Sequence, residues 1–253
     1  MVNKAIAFTV FNREDFLKRT LYSWSKVKYL DEYDIYFFVE PSNKINQILE
    51  IISSFKSVMG SRNIMIKINN ELKGCSANTF QALNLLFKVY DFVVLAEDDL
   101  IVSDDVCQYF NYLEDRYRDS NDVCIISANN KTKNMLDNNV VMPTEYFEGY
   151  VWGTWSKCWK SLFSTKWNIK EDGGDANWDW NIGQKLKANN LKCIHPAHSK
   201  SQHIGINGIN SNPEIFDHTL AYSFKDSYEW ETLQEFRVEI IDGKESYTRT
   251  NLN

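Results

Sequence analysis

The sequence predicts an α/β fold, a mostly parallel, Rossmann-like sheet flanked by helices. Three observations lead there. Strand and helix patterns alternate four times within the first hundred residues, as βαβ crossovers require. The strand segments are apolar, β-branched runs without polar alternation, the mark of strands buried on both faces. Charged residues gather just behind those runs, at the carboxyl edge where such sheets bind ligands.

The elements follow in order. "KAIAFTVF" (4–11) is the first strand, and "NREDFLKRTLYSWSKV" follows with Phe16, Leu17, Leu21 and Trp24 at helical spacing. "YDIYFFVE" (33–40) is the second strand, closed by Glu40 and a Pro41-Ser42-Asn43 turn, and "INQILEIISSFKSVM" the next helix. "IMIKIN" (64–69) is the third strand, and "GCSANTFQALNLLFKV" opens at Gly74 and leads into the fourth, "FVVLAEDD". Beyond Asp99 the alternation weakens: a helix at "SDDVCQYFNYLEDRYRD", a strand at "DVCIISAN", a tryptophan-rich section, a short strand "CIHP" and a loop "HIGINGINSNP". Trp155 and Trp159, four apart, read as the buried face of a helix. The last 25 or so residues read as a β-like or poorly ordered tail. One domain, 1–253, is expected, with a nucleotide-binding half at about 1–102, an acceptor half at about 103–225 and the tail at 226–253.

Composition narrows the function. The net charge of −6 speaks against a protein that coats nucleic acid or binds an anionic membrane surface. Five scattered cysteines, with no CxxC pair and no zinc-ligand spacing, read as reduced thiols. The apolar stretch before Asn12 is too short for a signal segment, and nothing approaches the roughly 18 apolar residues of a membrane span. A soluble cytoplasmic protein is expected, in the host cytoplasm if viral, with no protein partner implied. Most of the eight tryptophans cluster between Trp152 and Trp180.

The stretch "VVLAEDDL" (93–100) places Glu97, Asp98 and Asp99 directly behind an apolar run. Three adjacent carboxylates at a buried strand end need water or a cation. Mg²⁺ or Mn²⁺ takes one or two protein carboxylates and leaves room for substrate phosphates. The alternative is a solvated turn capping the helix near Ser103. "NWDWN" sets Asp179 between Trp178 and Trp180. Apolar walls there would raise the carboxyl pKa toward that of a general base; the alternative is a plain helix cap. "HIGINGIN" carries His203, Gly205 and Gly208, a flap able to close over donor phosphates, with His203 either a metal or phosphate contact or structural. No P-loop, GxGxxG or Ser-His-Asp arrangement occurs, and His195, His198 and His218 lack metal-ligand spacing.

"FVVLAEDDL", then "FEGYVWGTWSKCWKSL", "NWDWNIGQKL" and "CIHPAHSKSQHIGINGINS", in that order and spacing, resemble the GT-A glycosyltransferases of the N-acetylglucosaminyltransferase I type and their compact bacterial relatives, over roughly residues 4–222. The resemblance implies a GT-A (nucleotide-diphospho-sugar transferase) fold and a Mn²⁺- or Mg²⁺-dependent inverting hexosyl- or pentosyltransferase using a nucleotide sugar, UDP-linked by expectation. It assigns the metal to Asp99, the ribose and sugar to Asp98 and Glu97, and nucleoside contacts to Arg13 and Glu40. Further donor contacts fall on Lys73 and on Ser76 or Asn78, where Gly74 opens a helix N-terminus. Asp179 becomes the base that deprotonates the acceptor hydroxyl. Glu148, Trp152 and Trp178 become acceptor contacts, with a solvated side chain the alternative for Glu148.

Two rivals remain: a sugar nucleotidyltransferase, whose glycine-rich basic loop "TVFNRED" does not supply, and a GT-A binding module without chemistry, against which both Asp99 and Asp179 speak. The acceptor is either a glycan or a hydroxymethylated phage DNA base. DNA would require a basic strip, for which Lys157, Lys160, Lys166 and Lys170 are the candidates.

Overall fold

The computed structural model describes residues 2–60, 63–131, 139–165, 178–206, 223–229 and 232–252. The described residues form twelve strands and six α-helices. The strands are β1 (Lys4–Val10), β2 (Asp34–Val39), β3 (Ile64–Ile68), β4 (Phe92–Glu97), β5 (Leu100–Val102), β6 (Val123–Ser127), β7 (Val140–Thr144), β8 (Trp152–Trp155), β9 (Lys192–Pro196), β10 (Ser201–His203), β11 (Gln234–Ile241) and β12 (Lys244–Asn251). The helices are α1 (Glu14–Trp24), α2 (Ile45–Met59), α3 (Cys75–Leu86), α4 (Val106–Tyr117), the single turn α5 (Ser156–Cys158) and α6 (Trp178–Ala188).

Ten strands form one sheet in the order β12-β11-β7-β9-β6-β8-β4-β1-β2-β3, and β10 pairs with β5 apart from it. The first four strands pair in parallel in the order β3-β2-β1-β4. Their order reverses at β1 and β4, so the loops behind those two strands flank a topological switch point, the expected ligand crevice. α1 seals the sheet there: Phe8 packs edge-on to Trp24 at 5.2 Å and stacks on Phe37 at 4.9 Å. Burial of such aromatics on one contiguous core stabilises this half most.

One expectation is corrected. Trp155 and Trp159 do not share a helix face: Trp155 ends β8 and Trp159 begins the π-type turn Trp159–Phe163. Their four-residue spacing straddles a strand end. β8 inserts antiparallel between β4 and β6, and Gly153 permits it, because a Cβ there would lie 2.4 Å from the Phe92 ring. The chain end takes the β-like of its two expected forms. β11 and β12 form an antiparallel hairpin through Asp242 and Gly243 (φ 50° and 74°), the left-handed pair a tight hairpin turn needs. β11 joins it to β7 in parallel. Among the described residues no helix is long and apolar enough to cross a membrane.

Candidate active site

β4 ends at Glu97, and the Asp98-Asp99 turn that follows is the centre of the site. Both aspartates are buried, each 1% exposed. Asp98 is fully engaged: its Oδ2 accepts from the Phe11 backbone N–H at 3.0 Å, and its Oδ1 accepts from Arg13 Nε at 3.0 Å and from Arg13 Nη2. Arg13 Nη1 also donates to Asp99 Oδ2 at 2.5 Å. Thus Arg13, behind β1, clamps the two carboxylates behind β4 across the switch point. Burial works against the Arg13 charge, but Asp98, Asp99 and Glu97 outweigh it and keep the guanidinium firmly protonated.

Asp99 Oδ2 accepts a second bond, from His203 Nε2 at 3.0 Å, because β10 runs alongside β5 just past the turn. Burial works against ionisation of Asp99, yet the His203 bond and the Arg13 charge hold its carboxyl below the ordinary range. Gly205 closes the cradle: a Cβ there would sit 2.0 Å from Asp99 Oδ2. The other oxygen, Asp99 Oδ1, is buried without a hydrogen-bond partner among the described residues. A buried anionic oxygen left open beside an imidazole fits a hard divalent cation, which needs few protein ligands when phosphates complete its shell. Among the described residues no three His, Cys, Asp or Glu side chains form a ready-made metal cage.

Glu97 turns the other way, accepting from the Cys75 thiol at 3.3 Å at the start of α3. Burial and the Asp99 charge push its carboxyl up to about 7. Glu40, 3% exposed, has both oxygens engaged, by Asn69 Nδ2 at 2.9 Å and by the Lys73 backbone N–H at 2.7 Å. Asn69 also donates to Asn78, whose own amide donates to the Phe38 carbonyl. Glu40 and Asn78 therefore shape the loop ahead of α3 through a buried network, while the Lys73 side chain lies 3.5 Å from exposed Glu71. Ser76 stands in the first turn of α3, partly exposed.

Asp179, in the first turn of α6, is exposed, and its Oδ1 accepts from the Trp180 N–H at 2.8 Å. It is not walled by two indoles. Helical periodicity turns Trp178 inward and leaves Trp180 62% exposed. Trp178 stacks on Trp152 at 5.7 Å, and Trp152, wholly buried in β8, meets Phe147 edge-on. Trp152 and Trp178 are thus packing beneath the site rather than faces open to an acceptor. Glu148 is paired with Lys131 at 2.7 Å. Gly208, Lys166, Lys170 and His218 lie outside the described residues.

Tyr150 is the residue that sequence reading missed. Burial, followed by the charges of Glu148, Glu97, Asp179 and Asp99, pushes its hydroxyl above the ordinary tyrosine range. Its loop lies between the Asp99–His203 pair and the α6 acid. Its ring is 5.2 Å from that of His203, and Lys131 Nζ lies over its face at 4.5 Å. Gly149 lets its loop touch α6: a Cβ there would be 2.8 Å from Trp178 and 3.5 Å from the Asp179 Cβ. The only hint in the sequence was a tyrosine one residue from each of Gly149 and Val151, no stronger than any loop aromatic.

Such a sheet, with carboxylates at its switch point, defines a nucleotide-diphospho-sugar transferase fold of the GT-A type. Solved structures share it at low identity. S. aureus TarS 1–349 aligns with TM-score 0.58 and 11% identity over 79% of this chain and 59% of that one. Its complex with UDP-GlcNAc aligns at 0.55 and 11% over 90% and 60%. The mannosyltransferase PcManGT from Pyrobaculum calidifontis, in complex with GDP-Man and Mn²⁺, aligns at 0.53 and 13% over 77% and 55%. The chain thus spans less than two thirds of the length of these structures. The GNT-I family model matches residues 77–228. The chain belongs to the GNT-I family.

Proposed function

We propose that the protein is a divalent-metal-dependent, inverting glycosyltransferase that moves a sugar from a nucleotide sugar to an acceptor hydroxyl. The observation that carries this reading is the contact made by residues 149 and 150: the Tyr150 ring lies 5.2 Å from that of His203, which bonds Asp99, while a Cβ at Gly149 would lie 3.5 Å from that of Asp179. Family membership and the neighbours bound to UDP-GlcNAc and to GDP-Man with Mn²⁺ support the donor class.

Asp99 and His203 would hold Mn²⁺ or Mg²⁺, which when bound neutralises the donor diphosphate as a Lewis acid. Arg13 fixes both aspartates and supplies positive charge beside the nucleoside diphosphate. The N-terminus of α3, opened by Gly74, offers N–H groups to the donor. Glu40 and Asn78 hold that loop in place. Asp179, accepting the acceptor's hydroxyl proton, would let its oxygen attack the anomeric carbon from the face opposite the leaving group, which inverts configuration. Glu148 and Tyr150 line the acceptor side.

For the acceptor, a glycan is the better-supported class. The DNA reading needed a lysine strip beside Asp179, but Lys157 bonds the Ser120 carbonyl at 2.7 Å, and its neighbour Ser156 bonds the Asp91 carbonyl ahead of β4. That is the sheet edge opposite Asp98.

The test combines binding and turnover. UDP with Mn²⁺ should raise the melting temperature of the wild type, and a chelator should abolish the rise. Asp179→Asn should keep that rise while losing about a thousandfold in sugar transfer. Loss of UDP·Mn²⁺ binding in Asp179→Asn, or undiminished transfer by it, would remove Asp179 from the base role.

A further inference from the structure

The five thiols differ in setting. Cys107 and Cys193 are sealed in the core, and Cys75 is exposed beside Glu97. Cys124 in β6 and Cys158 in α5 are also buried, 8% and 3% exposed, but face each other, Sγ to Sγ, at 2.7 Å. They sit at the sheet edge opposite the acid cluster. Both line an open surface cleft of about 380 Å³, together with Ser120, Lys157, Leu162 and Asn189. The surrounding frame is fixed. Thr154 Oγ1 donates to the Cys124 carbonyl at 2.6 Å, and β6 pairs directly with β8, which leads into α5.

We propose that Cys124 and Cys158 form a reversible dithiol–disulfide site, oxidised through this cleft by small-molecule disulfides. It is independent of the transfer chemistry above. The Cys124 thiolate attacks one sulfur of the small disulfide, breaking its S–S bond and expelling one thiolate, which takes up the proton Cys124 gave away. The Cys158 sulfur then attacks the Cys124 sulfur and expels the second small thiol, to which its own proton passes. Two protein thiols lose two electrons, and one small disulfide becomes two thiols.

The order of attack follows from the surroundings. The hydrogen bond from Cys158 outweighs burial at Cys124, and the Lys157 charge adds to it, holding that thiol below the ordinary cysteine range. The same contact and burial push Cys158 upward. The thiolate is the nucleophile, so Cys124 reacts first. A sub-ångström approach of the two sulfurs then reaches the bond length of about 2.05 Å.

The experiment uses the full chain carrying Cys75→Ser, which removes the exposed thiol. Folded protein is incubated with oxidised glutathione, quenched in acid, unfolded, alkylated and mapped by mass spectrometry. Two of the four remaining thiols should escape alkylation, the linked peptides should contain Cys124 and Cys158, and dithiothreitol should restore both. With Cys158→Ser or Cys158→Ala added, glutathione should stay on Cys124; with Cys124→Ser added, Cys158 should remain alkylatable. Alkylation of all four thiols after oxidation, retained glutathione with no internal link, or a link through Cys107 or Cys193 would each overturn the proposal.

Discussion

Gly205 and Arg13 bear on Asp99 from two sides, and each makes a different demand. A Cβ at Gly205 would overlap Asp99 Oδ2, so Gly205→Ala must displace either the 204–206 backbone or the carboxylate. Mn²⁺-dependent UDP binding should weaken by at least tenfold, about 1.4 kcal/mol, while the chain stays folded; calorimetric titration reads this, and unchanged affinity would release Gly205 from the site. Arg13→Met leaves Asp98 and Asp99 buried without their cation. Breaking such a pair costs about 3 kcal/mol. A cation at Asp99 restores part of the lost charge, so saturating Mn²⁺ should raise the melting temperature of Arg13→Met more than that of the wild type. Equal increments in both proteins would contradict a cation site beside Asp99. At this scale the acid triplet and Arg13 were legible, since charge behind an apolar run is a local signal. Tyr150 was not, because His203, which its ring adjoins, and the Asp99 that His203 bonds lie on segments far from it along the chain.

β8 is the element on which the two halves depend. It is only four residues long and pairs on both edges, with β4 and β6. At Gly153 the Phe92 ring occupies the space of a side chain. Gly153→Ala should therefore destabilise by overpacking, about 2 kcal/mol, or roughly 4–8 °C in melting temperature for a chain of this size; thermal denaturation by circular dichroism decides it. A melting temperature within a degree of wild type would mean that β4 and β8 can separate without cost. The four parallel strands of the first half were readable because each is an apolar run bounded by turns. β8 was not: "YVWGTW" is short, and its tryptophans, three apart, match helical spacing and fall on opposite faces of a strand. The terminal hairpin was half readable, its strands by composition and its place in the sheet not at all.

At the scale of the whole molecule, one pH-linked group is the buried histidine of β9. His195 is wholly inaccessible. Burial lowers its pKa, outweighing contacts to the carbonyl oxygens of Asn129 (2.8 Å) and Tyr146 (3.2 Å) that favour the charged ring. The unfolded chain binds a proton at an ordinary histidine pKa, about 6.5, which the folded chain refuses until lower pH. Unfolding is thus proton-linked below about 6.5: the contribution is fully present above that pH and declines as pH falls toward the folded-state pKa. Glu97, held up at about 7 in the folded chain, works in the opposite sense over the same range, so the His195 contribution is read as a difference: between pH 7.5 and 5.5 the melting temperature of His195→Gln should fall less, or rise more, than that of the wild type, and an equal slope in the variant would place the linkage elsewhere.

By itself the sequence determined the alternation of strand and helix, the edge at which charge collects and the identity of the strand-end acids. Each is written in residues near one another along the chain, where periodicity and turn chemistry act. Only the tertiary structure decided that β8 enters antiparallel, that Trp152 and Trp178 stack inward, and that Gly205, His203 and Arg13 meet at Asp99. Those outcomes join segments well apart along the chain, by 26 residues for Trp152 and Trp178 and by 106 for Asp99 and Gly205, and they are fixed by which surfaces bury best against each other, a quantity no local pattern contains.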